Sequence, residues 1–278
     1  MAIDYDTEYN NRARVKEHPE ILARMAEASA AYREERKANG LTELRSSYGW
    51  SGRQMLDIFL SEEGRDAPVT LFIHGGYWRA LQPSDFSIVA RGLNAHGVTV
   101  ALAGYDLCPQ VGIGDIVNQL RRACYSLWRR FGKRIVVCGH SAGGHAAAAM
   151  LATDWPRYGT PAGLVPAGSA ISGLFDLQPL IATSMNADFK LDAAEAGRLS
   201  PLFWTPPAGM TFDAIVGAEE SGEYLRQSRT LAEAWSKAGV ATRYEAVAGA
   251  NHFTVIEPLA DPDSAMVKRL AQLARDAG

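Results

Sequence analysis

The sequence predicts one α/β domain in which a mainly parallel sheet carries helices on both faces. Short apolar runs alternate with amphipathic segments from residue 69 to the end of the chain, and alternation on this scale is typical of parallel sheets. With 278 residues, 47% of them apolar, the chain can bury one large core or, as the less favoured alternative, two. We expect an N-terminal helical extension over residues 1–42, packed on an α/β domain over residues 43–278.

The N-terminal extension is expected to contain a long helix within residues 10–38. Pro19 suits the first turn of such a helix, and Asn39-Gly40 is a stop signal. Apolar side chains recur at helical spacing at Ile21, Leu22, Met25, Ala28 and Tyr32. A separate binding module is the alternative interpretation of this segment.

The sheet is expected to contain eight strands. Residues 45–50 and 55–60 surround a Ser51-Gly52 turn and are predicted as an antiparallel opening pair. The other strands are expected at residues 69–73, 98–102, 135–138, 169–172, 212–216 and 242–247. Helices are expected at residues 84–96, 113–131, 223–238 and 263–274, with a helical excursion and proline-rich loops at residues 176–209.

The segment from Arg134 to Ala152 contains the strongest chemical signal in the chain. The apolar residues Ile135 to Cys138 predict a buried strand, and the alanine-rich run after residue 143 predicts a helix. Between them lies Gly139-His140-Ser141-Ala142-Gly143, a G-x-S-x-G sequence. In a strand–turn–helix context this motif forms a nucleophile elbow, which exposes a serine hydroxyl at the carboxyl end of a sheet. Ser141 is therefore the expected nucleophile.

The expected base is His252. A serine hydroxyl is a weak nucleophile at neutral pH and needs a base within hydrogen-bond reach. In this architecture the chain order is serine, acid, histidine. Among the six histidines, only His252, in a loop after the last predicted strand, satisfies that order.

The acid that orients the histidine is expected just after the strand at residues 212–216. Glu219 and Glu220 both occupy that position, and the residues alone leave the choice between them open. Asp213, inside the strand, and Asp176, after the preceding strand, rank lower.

An oxyanion formed on attack needs preorganised N–H donors. Gly75 and Gly76 directly follow a predicted strand and lack side chains, so the backbone N–H groups from Gly75 to Tyr77 are expected to approach the substrate. The N–H of Ala142, directly after the nucleophile, is the expected further donor. An ordinary glycine turn is the alternative.

Composition and charge exclude several classes of function. The formal net charge of −3 argues against nucleic acid or an anionic membrane as the main partner. No apolar run is long enough to span a bilayer, and no secretory leader is visible. Cys108, Cys124 and Cys138 are expected to be reduced, buried thiols. Together these features predict a cytoplasmic protein.

No metal or cofactor is expected. His140 and His145 are five positions apart and lack the i, i+4 spacing of a helical zinc pair; both are expected to be structural or to support the catalytic residues without contacting substrate. A Walker A motif is absent, and no G-x-G-x-x-G follows a strand. The expected partner is a small-molecule acyl or formyl substrate. The oligomeric state stays open, with a homodimer as one option.

Five segments in this order point to a known family: HGGYW after a strand, GHSAGGHAAAAML, GLFDLQPLIATSMN, VGAEESGEYLRQS and NHFTVIE. With them the chain resembles the kynurenine formamidases. These are arylformamidase members of the α/β-hydrolase fold, within the wider HGG-type esterase and lipase group. The resemblance runs from about residue 55 to the end of the chain.

The resemblance implies the α/β-hydrolase fold, with the catalytic roles on Ser141, Glu220 and His252. The 32 positions from Glu220 to His252 suit that family's spacing. The family's usual acid is Asp, so the Glu is a departure, and Glu219 stays open as the alternative. The resemblance also implies hydrolysis of N-formyl-kynurenine to kynurenine and formate.

Three functions remain open. The first is a metal-free serine hydrolase acting on a small formamide, the second a generalist short-chain carboxylesterase with the same chemistry, and the third a non-catalytic small-molecule binding protein. Tyr77 and Trp78 are the expected aromatic substrate contacts, with core packing as the alternative. The excursion at residues 176–209, with Met185, Phe203 and Trp204, is expected to determine substrate selectivity.

Overall fold

The computed structural model describes residues 3–278, and these residues form one sheet of eight strands. The strands are β1 (Thr42–Ser47), β2 (Met55–Phe59), β3 (Val69–Ile73), β4 (Thr99–Ala103), β5 (Ile135–His140), β6 (Ala167–Ile171), β7 (Thr211–Gly217) and β8 (Ala241–Val247). Their spatial order is β1-β2-β4-β3-β5-β6-β7-β8. β2 is antiparallel to both β1 and β4, and the strands from β3 to β8 are parallel. The predicted sheet and its antiparallel opening pair are confirmed, but β1 begins and ends three residues earlier than predicted.

Ten α-helices accompany the sheet within residues 3–278. They are α1 (Tyr5–Tyr9), α2 (Asn11–Arg14), α3 (His18–Ala38), α4 (Ala90–Ala95), α5 (Ile113–Phe131), α6 (Ala142–Leu151), α7 (Asn186–Phe189), α8 (Ala193–Arg198), α9 (Gly222–Lys237) and α10 (Ala265–Ala277). None of the helices described is both long and apolar enough to cross a membrane.

The N-terminal extension contains three helices, where the sequence predicted a long one. Asn10 separates α1 from α2, because its side chain accepts a hydrogen bond from the Ala13 N–H and so begins a new helix. The long helix α3 then carries Pro19 in its first turn and ends at Asn39. Gly40 follows with φ +68°, the left-handed conformation that the predicted stop requires.

The helix predicted at residues 84–96 is a 3-10 helix over Pro83–Val89 that continues into α4. The Ile88 N–H would close an α-turn onto the Ser84 carbonyl. It donates instead to the Ser29 hydroxyl of α3 at 3.1 Å. This contact with α3 replaces one hydrogen bond of a regular α-helix.

Two apolar layers cover the two faces of the sheet. Since successive side chains of a strand point to opposite faces, Leu71 and Ile73 of β3 belong to the apolar layer that also contains residues of α5, α6 and α9. Phe72 of the same strand belongs to the layer that contains residues of α3, α4 and α10. The three cysteines are buried and unpaired.

The carboxyl ends of the six parallel strands, β3 to β8, meet at one edge of the sheet. The segment that follows each of β3, β5, β6, β7 and β8 therefore lies at this edge. In open α/β sheets this edge is where ligands bind. The glycine pair, Ser141, Glu220 and His252 all lie in such segments.

Candidate active site

Ser141 lies at a sharp turn between β5 and α6. Its backbone angles are φ 56° and ψ −118°, in a region that non-glycine residues rarely adopt. A Cβ at Gly139 would lie 2.0 Å from the Gly143 carbonyl oxygen, and one at Gly143 would lie 1.9 Å from that of Ile73. Both glycines are therefore required by the close packing of β3, β5 and α6 around the serine.

The loop after β3, residues 74–78, is here named the glycine loop, and it contacts the serine directly. A Cβ at Gly75 would lie 3.0 Å from Ser141 Cβ. Gly76 has φ +107°, and a Cβ there would lie 2.3 Å from a backbone oxygen four residues later. Tyr77 also has a positive φ, of 50°. The loop thus follows a strained backbone path close to Ser141.

Four backbone N–H groups lie in the segments expected to bind an oxyanion. Within residues 3–278, no hydrogen bond uses the N–H of Gly75, Gly76, Tyr77 or Ala142. Ala142 is the first residue of α6, where a helix has no internal acceptor for its N–H groups and favours negative charge. These N–H groups can therefore donate to an oxygen atom bound beside Ser141.

Glu220 and His252 form a buried, hydrogen-bonded pair. Glu220 Oε2 lies 2.6 Å from His252 Nδ1. Glu220 Oε1 accepts hydrogen bonds from the Gly217 N–H at 2.7 Å and from the Ser172 hydroxyl. Because an ionised carboxylate can only accept hydrogen bonds, this pairing assigns a proton to His252 Nδ1 and leaves Nε2 as an acceptor.

The other three carboxylates considered for the acid do not contact His252. Glu219 is exposed on the adjacent turn. Asp213 and Asp176 each pair with an arginine, at 2.9 Å from Arg269 and 3.5 Å from Arg226. Among these candidates, the structure therefore brings only Glu220 to the histidine.

Ser141 and His252 line the same cavity, which has a volume of about 210 Å³. The Ser141 hydroxyl makes no hydrogen bond to any residue between 3 and 278. The hydrogen bond between a nucleophile and its base is often long until substrate binds, and then it tightens. The structure thus places the expected nucleophile and base on one surface without joining them.

Two further histidines support the site from the interior. His140 Nε2 donates to the His252 carbonyl at 2.8 Å. Burial, followed by the neighbouring His252, lowers the pKa of His140 to about 3. His74 Nδ1 donates to the Gly75 carbonyl at 2.7 Å, and burial lowers the pKa of His74 to about 4. Both side chains are therefore neutral at pH 7, and each fixes the backbone of a site residue.

His145 lies deeper, in the middle of α6. Its Nε2 donates to the Leu199 carbonyl at 2.8 Å, and burial lowers its pKa to about 4. Across the residues described, no group of three or more His, Cys, Asp or Glu side chains is arranged to hold a metal ion.

The structure separates the two aromatic residues predicted as substrate contacts. Tyr77 lines the cavity, but Trp78 does not. The indole of Trp78 is 1% exposed and packs edge-on against His145 of α6 and Phe189 of α7. Because it fills the space between these helices, Trp78 is a core residue, and its prediction as a substrate contact is corrected to the core alternative.

The excursion at residues 176–209 contributes only part of the expected lining. Ser184 and Met185 line the cavity. Neither Phe203 nor Trp204 lines the cavity. Phe203 is 58% exposed, and Trp204 donates its indole N–H to the Arg198 carbonyl. Met185 is therefore the one of the three named side chains that is placed to contact a ligand.

The N-terminal segment, defined as residues 3–15, also lines the cavity, and sequence reasoning did not identify it. Five of its residues contribute, namely Asp6, Tyr9, Asn10, Asn11 and Arg12. They reach the site through contacts with α9, more than 200 positions away, such as that of Tyr9 with Glu223. No local pattern in the sequence could have shown this contact.

Comparisons with known proteins identify the family of this chain. A family model described as the alpha/beta hydrolase family matches residues 70–278. The kynurenine formamidase of Danio rerio is 31% identical over 234 residues, which cover 81% of this chain and 80% of that protein. The kynurenine formamidase of Drosophila melanogaster is 30% identical over 246 residues, which cover 84% and 81%.

Solved structures show the same fold. A protein of Silicibacter sp. assigned as a thioesterase has a TM-score of 0.82 and 35% identity, with 96% of this chain and 98% of that chain covered. An esterase of the bacterial hormone-sensitive lipase family has a TM-score of 0.70 at 20% identity, with 95% and 98% covered, and this likeness concerns the fold alone. The chain therefore belongs to the alpha/beta hydrolase family and is a hydrolase enzyme related to the kynurenine formamidases.

Proposed function

We propose that this protein is a serine hydrolase that removes the formyl group from an N-formyl arylamine, with N-formyl-kynurenine as the expected substrate. The observation that carries the proposal is that the elbow residue Ser141 and the Glu220–His252 pair meet at one cavity. The similarity to kynurenine formamidases over more than 80% of the chain supports the formamide substrate.

In the first half of the reaction Ser141 Oγ attacks the formyl carbon, and its proton passes to His252 Nε2. The carbonyl oxygen becomes an oxyanion, which N–H groups among those of Gly75, Gly76, Tyr77 and Ala142 stabilise. Glu220 stabilises the imidazolium that forms and preserves the orientation of the ring. The C–N bond then breaks, the arylamine takes the proton from His252, and the formyl group remains on Ser141 as an ester.

In the second half a water molecule replaces the arylamine. His252 accepts a proton from the water, which attacks the formyl carbon, and the same N–H groups stabilise the second oxyanion. The bond from the formyl carbon to Ser141 Oγ breaks, and the proton on His252 returns to that oxygen. Formic acid leaves and loses its proton to solvent to give formate, and the enzyme is restored.

The lining of the cavity suits an aromatic substrate with a small acyl group. Aromatic side chains are contributed by Tyr77, Phe86 and Phe253, and Met25 and Met185 add flexible apolar surface. Aromatic rings pack well against such surfaces. A formyl group carries only hydrogen on its reacting carbon, so it needs little space beside Gly75 and Ser141.

A short-chain carboxylesterase is the second candidate. The same residues cleave an ester by the same steps, with an alcohol or thiol as the leaving group. The neighbour assigned as a thioesterase, which is 35% identical over 96% of the chain, favours this alternative. Ser141, the Glu220–His252 pair and the cavity would serve either leaving group, so the choice between the two candidates depends on the substrate test.

The test compares hydrolysis of N-formyl-kynurenine and p-nitrophenyl acetate by the wild type, Ser141→Ala and Ser228→Ala. Ser228 is a buried serine of α9 and serves as the matched control. We expect Ser141→Ala to lower kcat for both substrates by at least about 10³-fold and Ser228→Ala to leave it unchanged.

The two substrates distinguish the candidates. Formamide turnover that equals or exceeds ester turnover supports the first candidate, and ester turnover alone supports the second. If wild type and Ser141→Ala bind N-formyl-kynurenine equally and neither turns over either substrate, the protein is a binding protein and the proposal is overturned.

A further inference from the structure

We propose that the N-terminal segment contributes to catalysis by positioning the glycine loop. It does so through a relay of hydrogen bonds that includes Tyr77. The inference rests on the proposed function, since it assigns the means by which the oxyanion donors are held in place. The positioning residues are Asn11, Tyr77 and Tyr224, with the Tyr9 carbonyl as the last acceptor.

The relay has a single direction. Asn11 Nδ2 donates to the Tyr224 hydroxyl oxygen at 2.9 Å. The Tyr224 and Tyr77 hydroxyls are 2.6 Å apart, and Tyr77 donates its proton to the Tyr9 carbonyl at 2.5 Å. Because each hydroxyl has only one proton, Tyr224 must donate to Tyr77. The Tyr77 hydroxyl oxygen also accepts a longer hydrogen bond from Asn11 Nδ2, at 3.5 Å. Each hydroxyl thus donates once, and the two cannot exchange donor roles without losing the bond to the Tyr9 carbonyl.

The N-terminal segment is itself fixed on α9 and on the excursion. The Tyr9 hydroxyl donates to Glu223 Oε2 at 2.7 Å and accepts from Gln227 Nε2 at 2.8 Å. Asp6 Oδ1 accepts from both the N–H and the hydroxyl of Ser184 at 2.8 Å. The last acceptor of the relay therefore lies on an anchored backbone, which gives the Tyr77 hydroxyl a defined position.

The glycine loop needs such support because its backbone is strained. Tyr77 and Trp78 have φ angles of 50° and 54°, which non-glycine residues rarely adopt and keep only where surrounding contacts impose them. Trp78 is fixed by core packing and by its carbonyl, which accepts from the Cys108 N–H at 2.8 Å. Tyr77 lies on the cavity surface, and its side chain is fixed by the relay.

The relay also contacts the histidine. The ring of Tyr224 lies 4.7 Å from that of His252, so one side chain touches the expected base and hydrogen-bonds to the glycine loop. We infer that Tyr224 sets the distance between the N–H donors and the base. A displacement of 1 Å at such a site can lower turnover by about 100-fold.

The test uses Tyr77→Phe and Tyr224→Phe in the full-length chain. Both variants keep the aromatic ring and remove only a hydroxyl. Tyr48→Phe is the matched control, because its hydroxyl also donates to a backbone carbonyl, that of Gly104, outside the cavity. The measurements are kcat, KM, the melting temperature and the inhibition constant of phenylboronic acid, which forms a tetrahedral adduct on a reactive serine.

We expect Tyr77→Phe and Tyr224→Phe each to lower kcat by about 10- to 100-fold with KM within about 3-fold, since only the transition state uses the oxyanion donors. Phenylboronic acid should bind more weakly by a similar factor. The double variant should be no worse than the more impaired single variant, because both changes break one relay. Tyr48→Phe should change the melting temperature without these effects.

A purely structural role for the relay predicts another result. Kinetic constants and boronic acid affinity within 2-fold of wild type, with only a lower melting temperature, would overturn the inference. If the Ser141→Ala variant keeps its turnover, the proposed function itself is wrong. If Ser141→Ala is inactive while Tyr77→Phe and Tyr224→Phe match the wild type, only the positioning role is wrong.

Discussion

Glu220 Oε2 lies 2.6 Å from His252 Nδ1, although 32 positions separate the two residues in the chain. The other carboxylate oxygen is bound by the Gly217 N–H and by the Ser172 hydroxyl. Glutamate has one more methylene group than aspartate. Here its carboxylate turns back onto the backbone three residues earlier, and this allows the longer acid to meet the histidine at hydrogen-bond distance.

Replacement of Glu220 by Gln should lower kcat/KM by about 10³- to 10⁴-fold. If the glutamine amide turns its NH₂ group to His252 Nδ1, the ring proton lies on Nε2, which then cannot accept the serine proton. In the opposite orientation the NH₂ group faces the Gly217 N–H, so two donors meet. Glu219→Gln is the matched control, because Glu219 is exposed, and it should retain wild-type activity. Steady-state kinetics of the two variants decide the assignment, and loss of activity in Glu219→Gln alone would reverse it.

Replacement of Gly143 by Ala should disrupt the elbow. The added Cβ would lie 1.9 Å from the Ile73 carbonyl oxygen, so β3 and α6 would have to separate. We expect a loss of about 2 kcal/mol or more in the free energy of unfolding and at least a 100-fold loss of kcat. Gly52→Ala is the control, because nothing lies within 4 Å of its added Cβ. Urea unfolding and kinetics measure both effects, and a Gly143→Ala variant as stable and active as Gly52→Ala would contradict the prediction.

Local patterns were sufficient to predict several elements of the α/β domain. β3 and α5 have the bounds that apolar runs and helical periodicity indicate, residues 69–73 and 113–131. The G-x-S-x-G motif and the serine–acid–histidine order pointed to Ser141 and His252. These features are predictable because each depends on neighbouring residues or on the direction of the strands.

Features that depend on distant contacts were not predictable. The choice of Glu220 over Glu219 depends on which carboxylate is buried against Ser172; the residues alone left it open, and only the spacing in the resembled family favoured Glu220. The N-terminal segment reaches the cavity because Tyr9 and Asn11 hydrogen-bond to α9, more than 200 positions away. Trp78 is in the core because the backbone turns sharply after Gly76, and adjacent aromatic residues in a sequence do not reveal such a turn.

Arg12 should give the enzyme a preference for a substrate that carries a carboxylate. It is exposed, lines the cavity and forms no ion pair within residues 3–278. Its neighbour Arg14 pairs with Glu8, and Arg79 pairs with Asp188. N-formyl-kynurenine carries a carboxylate that an unpaired guanidinium can bind.

We therefore expect Arg12→Gln to raise KM for N-formyl-kynurenine by about 3- to 10-fold, as for a partly exposed ion pair, and to leave KM for the neutral p-nitrophenyl acetate unchanged. The selective effect on the formamide should decrease at high salt. Arg14→Gln is the control, since its guanidinium already pairs with Glu8. An equal loss for both substrates would show that Arg12 acts on the shape of the cavity and not through its charge.

Three buried histidines should make the protein less stable in acid. Burial lowers the pKa of His74 and His145 to about 4 and that of His140 to about 3, from a usual value of 6.5. Above pH 6.5 these side chains are neutral in both states. Below it the unfolded chain takes up protons that the folded protein does not bind until its own pKa is reached, so the free energy of unfolding falls as the pH is lowered.

At pH 5 each of these histidines should lower the free energy of unfolding by roughly 2 kcal/mol relative to pH 7.5. His145→Gln tests this, because a glutamine amide can keep the hydrogen bond to the Leu199 carbonyl without titrating. Urea unfolding of the wild type and the variant at pH 7.5 and pH 5 should show a loss about 2 kcal/mol smaller in His145→Gln. Between pH 7.5 and 8.5, where the histidines stay neutral, the plots of the free energy of unfolding against pH should be parallel for the wild type and the variant. If they stay parallel down to pH 5, His145 does not resist protonation in the folded protein.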